Sequence, residues 1–194
     1  SAASAVAYQD LTAIAESKAE TAVDVFVYDT RKDSDGGAWR KRTQGTSWYN
    51  EPLNTATRGG RKEFPAVAVI VAEASKVTIY DGDDPSLPMW MVFEAGSNNG
   101  YKFIISGGIN AVTGKNGFIS IARSSFVVID FIGDRAQYLG NTTQGDYSGH
   151  LVSQRNDYGD IGNEVNWLCD SYIVATPVND VAMTVLPDAP IDPD

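Results

Sequence analysis

Carboxylates are the first residues in this chain whose grouping could do chemistry. Asp29, Asp33 and Asp35 fall in one short stretch, and Asp81, Asp83 and Asp84 form a second group. Oxygen-rich loops of this kind suit Ca2+, a hard cation held by carboxylate and carbonyl oxygens. The stretch Asp33-Ser34-Asp35-Gly36-Gly37 lacks the third regularly spaced acidic ligand and the distal Glu of an EF-hand, so that motif fails. The simpler role for both groups is to end a strand and cap the following turn through side-chain-to-backbone bonds. No metal and no cofactor are expected.

His150 is the only histidine, in Tyr147-Ser148-Gly149-His150-Leu151. A hydrolytic triad needs Ser, His and an acid to converge, and no Gly-x-Ser-x-Gly elbow is present to place a nucleophile. HExxH, a GxGxxG after a strand and a phosphate-binding loop are likewise absent from the sequence. A glycosidase carboxylate pair leaves no local signature and stays open. Cys169, the only cysteine, sits between Leu168 and Asp170 and reads as a small buried residue; it allows no intrachain disulfide. No residue is expected to be catalytic.

Aromatic side chains are the better lead for binding, since their rings can stack on sugars or on a partner protein. Trp39 and Trp90 recur at matched positions and read as structural, whereas Trp48 and Tyr49 have no repeat equivalent. The stretch 141–163 is dense in Asn, Gln, Asp, Gly and Tyr, as a recognition loop would be. The candidate ligand-binding residues are Trp48, Tyr49, Tyr147, His150 and Tyr158. Trp167 could also stack, and a purely structural loop is the plainer alternative.

The elements that would hold these residues follow from composition and periodicity. The chain has 194 residues, 43% of them hydrophobic, enough to bury a core. Its net charge of −10 opposes binding to nucleic acid and to anionic membranes. A local basic cluster, Arg40, Lys41 and Arg42 with Arg58, Arg61 and Lys62, reads as a solvated face or a partner contact. No apolar run is long enough to span a bilayer. Residues 1–23 are Ala-rich and free of Gly and Pro, which predicts a thin amphipathic helix that packs on a partner or on the next domain. The stretch Pro187–Asp194 reads as a Pro/Asp linker toward further chain.

Residues 24–186 form the β-rich body. Runs at 23–28, 66–72, 76–80, 89–93, 101–105, 117–122 and 125–132 are rich in β-branched and aromatic residues, with Gly-containing turn signals between them. Three runs end alike, in Tyr28-Asp29, Tyr80-Asp81 and Ile129-Asp130, about fifty residues apart, and each is followed by an aromatic: Trp39, Trp90 or Tyr138. This pattern predicts a partial β-propeller of about three blades, too few to close a ring without more chain or neighbouring subunits. A β-sandwich is the alternative.

The stretches 15–29 (Ala-Glu-Ser-Lys-Ala-Glu-Thr-Ala-Val-Asp-Val-Phe-Val-Tyr-Asp), 35–43 (Asp-Gly-Gly-Ala-Trp-Arg-Lys-Arg-Thr) and 47–51 (Ser-Trp-Tyr-Asn-Glu) carry a resemblance, as do 61–67 and 77–84. Over roughly residues 15–140 the chain resembles tailed-bacteriophage tail fibre and tail-associated structural proteins of the marine-phage type. The resemblance implies a virion protein of the tail that serves in host attachment. Its partners would be other tail proteins, a homotrimer or other homo-oligomer, and a host surface glycan or protein. A nozzle or adaptor making only protein contacts is one alternative; a polysaccharide-binding or depolymerase fragment is another. The resemblance assigns no role to any single residue.

Overall fold

A computed structural model of the chain describes residues 20–94, 108–123, 125–139, 144–147, 149–156, 161–162 and 178–185. The described residues are mainly β. Four strands, β1 (Ala22–Asp29), β2 (Val67–Glu73), β3 (Lys76–Asp81) and β4 (Met89–Glu94), form an antiparallel meander in sequence order. Six more, β5 (Ala111–Lys115), β6 (Phe118–Ala122), β7 (Phe126–Asp130), β8 (Arg135–Leu139), β9 (Gln144–Tyr147) and β10 (Ile161–Gly162), form a second antiparallel sheet, also in sequence order. Two short helices, α1 (Ser47–Asn50) and α2 (Leu151–Asn156), lie in the connections. No described helix is long and apolar enough to cross a membrane.

The period of two in each strand sets which face is buried. Ile70 pairs with Phe26 on one side and Ile79 on the other, and Ile79 pairs with Met91, so one apolar row crosses the first sheet. Ile121 between Val112 and Val127, and Ile129 between Ile119 and Ala136, make the matching rows of the second. These residues belong to a single core shared by both sheets. Val69 and Val71, on the other face of β2, join Leu87 in a smaller cluster. At Trp90 a bulge places two β4 residues opposite one step of β3, and Trp90 and Met91 both enter the shared core. The two-residue turn Asn116-Gly117 joins β5 to β6 with positive φ at both positions (51° and 81°), the geometry an Asn-Gly hairpin favours.

The long β1–β2 connection is packed, not loose. Phe64 lies at the centre of an aromatic cluster, with ring centroids 5.2 Å from Trp39, 4.9 Å from Trp90 and 5.0 Å from Phe131. Trp48 meets Trp90 and Phe131 edge-on at 5.5 and 5.6 Å. These contacts close one end of the shared core with residues from the connection.

Several expectations are corrected here. Glu20 and Thr21 form a turn and Ala22 and Val23 already belong to β1, so the predicted helix cannot extend to residue 23. The rest of that segment, residues 1–19, lies outside the described residues, as do the run at 101–105 and the linker at 187–194. Among the described residues the fifty-residue repeat has two structural copies: β2-β3-β4 and β6-β7-β8 are both antiparallel meanders, and Asp81 and Asp130 end their middle strands. Asp29 instead ends an edge strand, and Trp39 sits in a 3-10 turn. Ring closure is not seen among the described residues, where the two sheets stack on one core.

Candidate functional site

The six clustered aspartates act on the backbone. Asp29 accepts from the Arg31 amide at 3.1 Å and pairs with the Arg31 guanidinium; Asp35 accepts from the Gly37 and Trp39 amides at 2.9 and 2.7 Å. Asp81 accepts from the Asp83 amide, and Asp84 from the Ser86 amide. Asp83 accepts from the Ala66 and Val67 amides and from Arg61. Burial alone would raise the Asp83 carboxyl, but those amides and the Arg61 guanidinium together hold it below the usual carboxylate range. Among the described residues, no group of three or more His, Cys, Asp or Glu side chains is set to hold a metal.

Asp33 ties the connection to the second sheet. Its carboxylate accepts from the Tyr28 hydroxyl at 2.7 Å, the Trp39 indole at 2.8 Å and the Asn116 amide at 2.9 Å. The Gly117 amide in turn donates to the Tyr28 hydroxyl at 2.8 Å. Burial, aided by the adjacent Asp33 charge, pushes the Tyr28 phenol far above its ordinary value.

A second constellation gathers at the α1–α2 corner. The Ser47 amide and hydroxyl both donate to Asp134 at 2.7 Å, and the Leu151 amide reaches the same carboxylate at 3.3 Å. The Val152 amide donates to the Ser47 hydroxyl at 3.2 Å. Nδ1 of His150 lies 3.5 Å from Asp134, and the imidazole is 78% exposed. Ser, Asp and His have therefore converged, but with the carboxylate in the middle. A triad needs the imidazole between hydroxyl and acid so that it can take the hydroxyl proton. Here the Ser47 proton points at Asp134, which serves as a shared cap for two helix starts.

Beneath this corner lies a buried ion cluster. Glu51 receives both terminal nitrogens of Arg155, Nη1 at 2.8 Å, and lies 3.0 Å from Nε of Arg58. Arg58 is fully buried, donates to the carbonyls of Arg61, Lys62 and Trp90, and stacks 4.4 Å over the Trp90 ring. Burial lowers the Arg58 pKa to about 10 even with Glu51 beside it. Two cations and one anion share this site.

Of the basic cluster read as a solvated face or partner contact, Lys41, Arg42 and Lys62 are exposed, Arg40 and Arg61 are half-buried, and Arg58 alone is internal. Arg58 is in the core, Arg40 pairs with Glu63 and the Phe64 carbonyl, and Arg61 pairs with Asp81 and Asp83. Of the candidate ligand-binding residues, Trp48, Tyr49 and His150 come together at the α1–α2 corner. Trp48 has no exposed ring face and donates its indole N–H to the Phe131 carbonyl at 2.9 Å. Tyr49 is half-buried, with the Lys62 ammonium 5.6 Å from its ring. Tyr147 ends β9, its backbone paired with Ile161. Tyr158, Trp167 and Cys169 lie outside the described residues.

Sequence reasoning missed Glu51, Asp134 and Arg155. No local signal marks them: Glu51 stands between Asn50 and Pro52, Asp134 between Gly133 and Arg135, and Arg155 between Gln154 and Asn156, neighbours that also fit solvent-facing turns. A groove of about 550 Å3 opens elsewhere, between β1 and the outer edge of β5, with Asp180–Met183 as its third wall.

No protein-family model, no curated protein and no solved structure matches this chain.

Proposed function

We propose that this chain is a structural component of a phage tail, most simply a tail fibre or fibre-attachment protein that serves host adsorption. The observation that carries this reading is how the chemically capable side chains are used. The clustered aspartates hold backbone amides, Ser47 and Asp134 join two helices, and Trp48 fills the core. Such a molecule is suited to bearing contacts, and the resemblance to tail proteins supplies the setting. In this proposal the two meanders act as blade-like units, and any propeller-type closure falls to neighbouring copies. The segment 1–19 ahead of β1 docks onto other tail proteins or onto its counterparts in a homotrimer, and the α1–α2 corner, with Tyr49 and His150, faces a host glycan or protein.

The test is mass spectrometry of purified particles, followed by competition for adsorption. The chain should be found at fixed stoichiometry in the tail, and the purified chain should slow adsorption of intact particles. Absence from the particle overturns the proposal. Presence without any effect on adsorption leaves the nozzle or adaptor role. Turnover of host polysaccharide by the purified chain would instead favour the depolymerase reading.

A further inference from the structure

The stretch Val178–Val185 has the periodicity of a strand but belongs to no sheet. Val181, Met183 and Val185 are half-buried, while Ala182 and Thr184 between them are exposed. That alternation is what a strand laid on an apolar surface produces. Its backbone is tied at one point only among the described residues. The Val178 amide donates to the Arg123 carbonyl at 2.7 Å, and the Asn110 side chain donates to the Val178 carbonyl at 2.7 Å. Beyond that point the Val181 amide turns back to its neighbour Asp180, and Met183 makes a 3.4 Å contact with the Ser120 hydroxyl.

The surface it lies against explains why no ladder forms. The outward amides at the two ends of β5 and its turn are already taken by side chains. Asp24 accepts from Val112 at 2.8 Å, Asp33 from Asn116 and the Tyr28 hydroxyl from Gly117. This blunts the edge against ordinary strand addition. What remains is a groove that recognises side chains: Phe26, Val27 and Val112 offer apolar surface, and Asp24, Asp29, Asp33, Lys32 and Lys115 make up its charged lining.

We propose that Val178–Val185 is an exchangeable arm, and that the β1–β5 groove receives the same arm from a second copy of this chain. The occupant follows from the structure, because the arm already walls the groove with its alternating apolar side chains, Val181 and Met183. Val178 is the pivot. Exchange preserves every contact, so its extent is set by local chain concentration against the effective concentration of the chain's own arm, which is in the millimolar range for a short tether. A crowded assembly provides that condition. The inference does not depend on the virion reading, since a self-assembling chain from any source would behave alike.

The experiment installs a photo-crosslinking amino acid, p-benzoylphenylalanine, at the exposed position Ala182. This chain is mixed with an equal amount of 15N-labelled wild type at about 1 mM, illuminated, and digested for mass spectrometry. The expected result is links from the light arm to heavy peptides of the groove, accounting for roughly a quarter of all arm–groove links, since at this concentration about half of the arms exchange and about half of those meet a heavy chain. Light scattering should then show multiples of the 20.9 kDa chain. The paired change Val181→Asp with Met183→Asp should abolish these multiples while leaving the β-sheet circular dichroism unchanged. Links confined to light–light pairs at that concentration overturn the proposal. So do multiples that persist in the doubly substituted chain.

Discussion

Glu51→Gln is the most informative single substitution. The Glu51 carboxylate faces two buried guanidiniums, receiving Nη1 and Nη2 of Arg155 and lying 3.0 Å from Nε of Arg58. An amide of the same shape keeps the packing but leaves two cations in the interior with no counter-charge. Breaking a buried ion pair from one side costs about 3–5 kcal/mol, because the abandoned charge keeps its desolvation penalty. At roughly 2–4 °C per kcal/mol for a chain of this size, the melting temperature should fall by about 6–20 °C. The surface pair Arg40–Glu63 is the control: Glu63→Gln should cost less than about 1 kcal/mol, since the Glu63 side chain is 39% exposed. The pH dependence supplies a second readout. Arg58 has a folded pKa lowered by burial, to about 10 with Glu51 in place. Below the folded pKa the full cost of a buried cation is present; above it the folded state sheds the proton and the cost eases. Loss of Glu51 deepens that lowering, so the deficit should be largest near neutrality and narrow as the pH rises towards 10. Urea and thermal unfolding followed by circular dichroism measure both effects. A Glu51→Gln chain that melts within a degree or two of wild type at pH 7 would refute the reasoning, because it would mean that the guanidiniums reach solvent.

Four further substitutions have outcomes set by the contacts described above. Asp134→Ala removes the cap shared by Ser47 and Leu151 and should cost about 1–4 kcal/mol, at roughly 0.5–2 kcal/mol per cap. His150→Ala, at an exposed position, should stay within about 0.5 kcal/mol; urea midpoints distinguish the two. Asp83→Asn should destabilise at neutral pH, because the folded carboxyl is held below its ordinary value and so contributes stability above the unfolded pKa. That difference should close as the pH falls through the depressed folded value, and unfolding measured from pH 7 down to pH 2 checks it. Gly117→Ala places a Cβ at φ +81° and 2.7 Å from the Ile132 side chain, and should cost about 1–3 kcal/mol in equilibrium unfolding.

How much of this was legible in the sequence depends on the range of the interaction. The runs at 66–72, 76–80 and 89–93 lie within a residue of β2, β3 and β4, because β-branched and aromatic residues crowd there and both faces are covered. By contrast β5 (Ala-Val-Thr-Gly-Lys) and β8 (Arg-Ala-Gln-Tyr-Leu) carry too few such residues to be seen, and pairing with β6 and β7 makes them strands. The threefold echo at Asp29, Asp81 and Asp130 has a local cause. Each carboxylate accepts from the amide two residues on, those of Arg31, Asp83 and Ile132, so each marks a strand-ending turn and nothing about topology. The roles of Asp134 and Arg155 depend on partners 87 and 104 residues away, which no local pattern encodes.

Those distant partners share a direction. The β1–β2 connection reaches the second sheet and its turns through Asp33 to Asn116, Ser47 to Asp134 and Trp48 to the Phe131 carbonyl, and reaches α2 through Glu51 to Arg155. Each tie is buried or half-buried, and each joins residues more than eighty positions apart, so none can form until both sheets are in place. Contacts of such high sequence separation make folding slow and leave little room for one sheet to open while the other persists. The connection therefore works as a clasp, and the charges inside it are retained at a cost in desolvation that apolar residues would avoid. A clasp of this kind gives one register between the sheets. That is a property worth more to a chain that must present a fixed surface to its neighbours than to one that must open around a substrate.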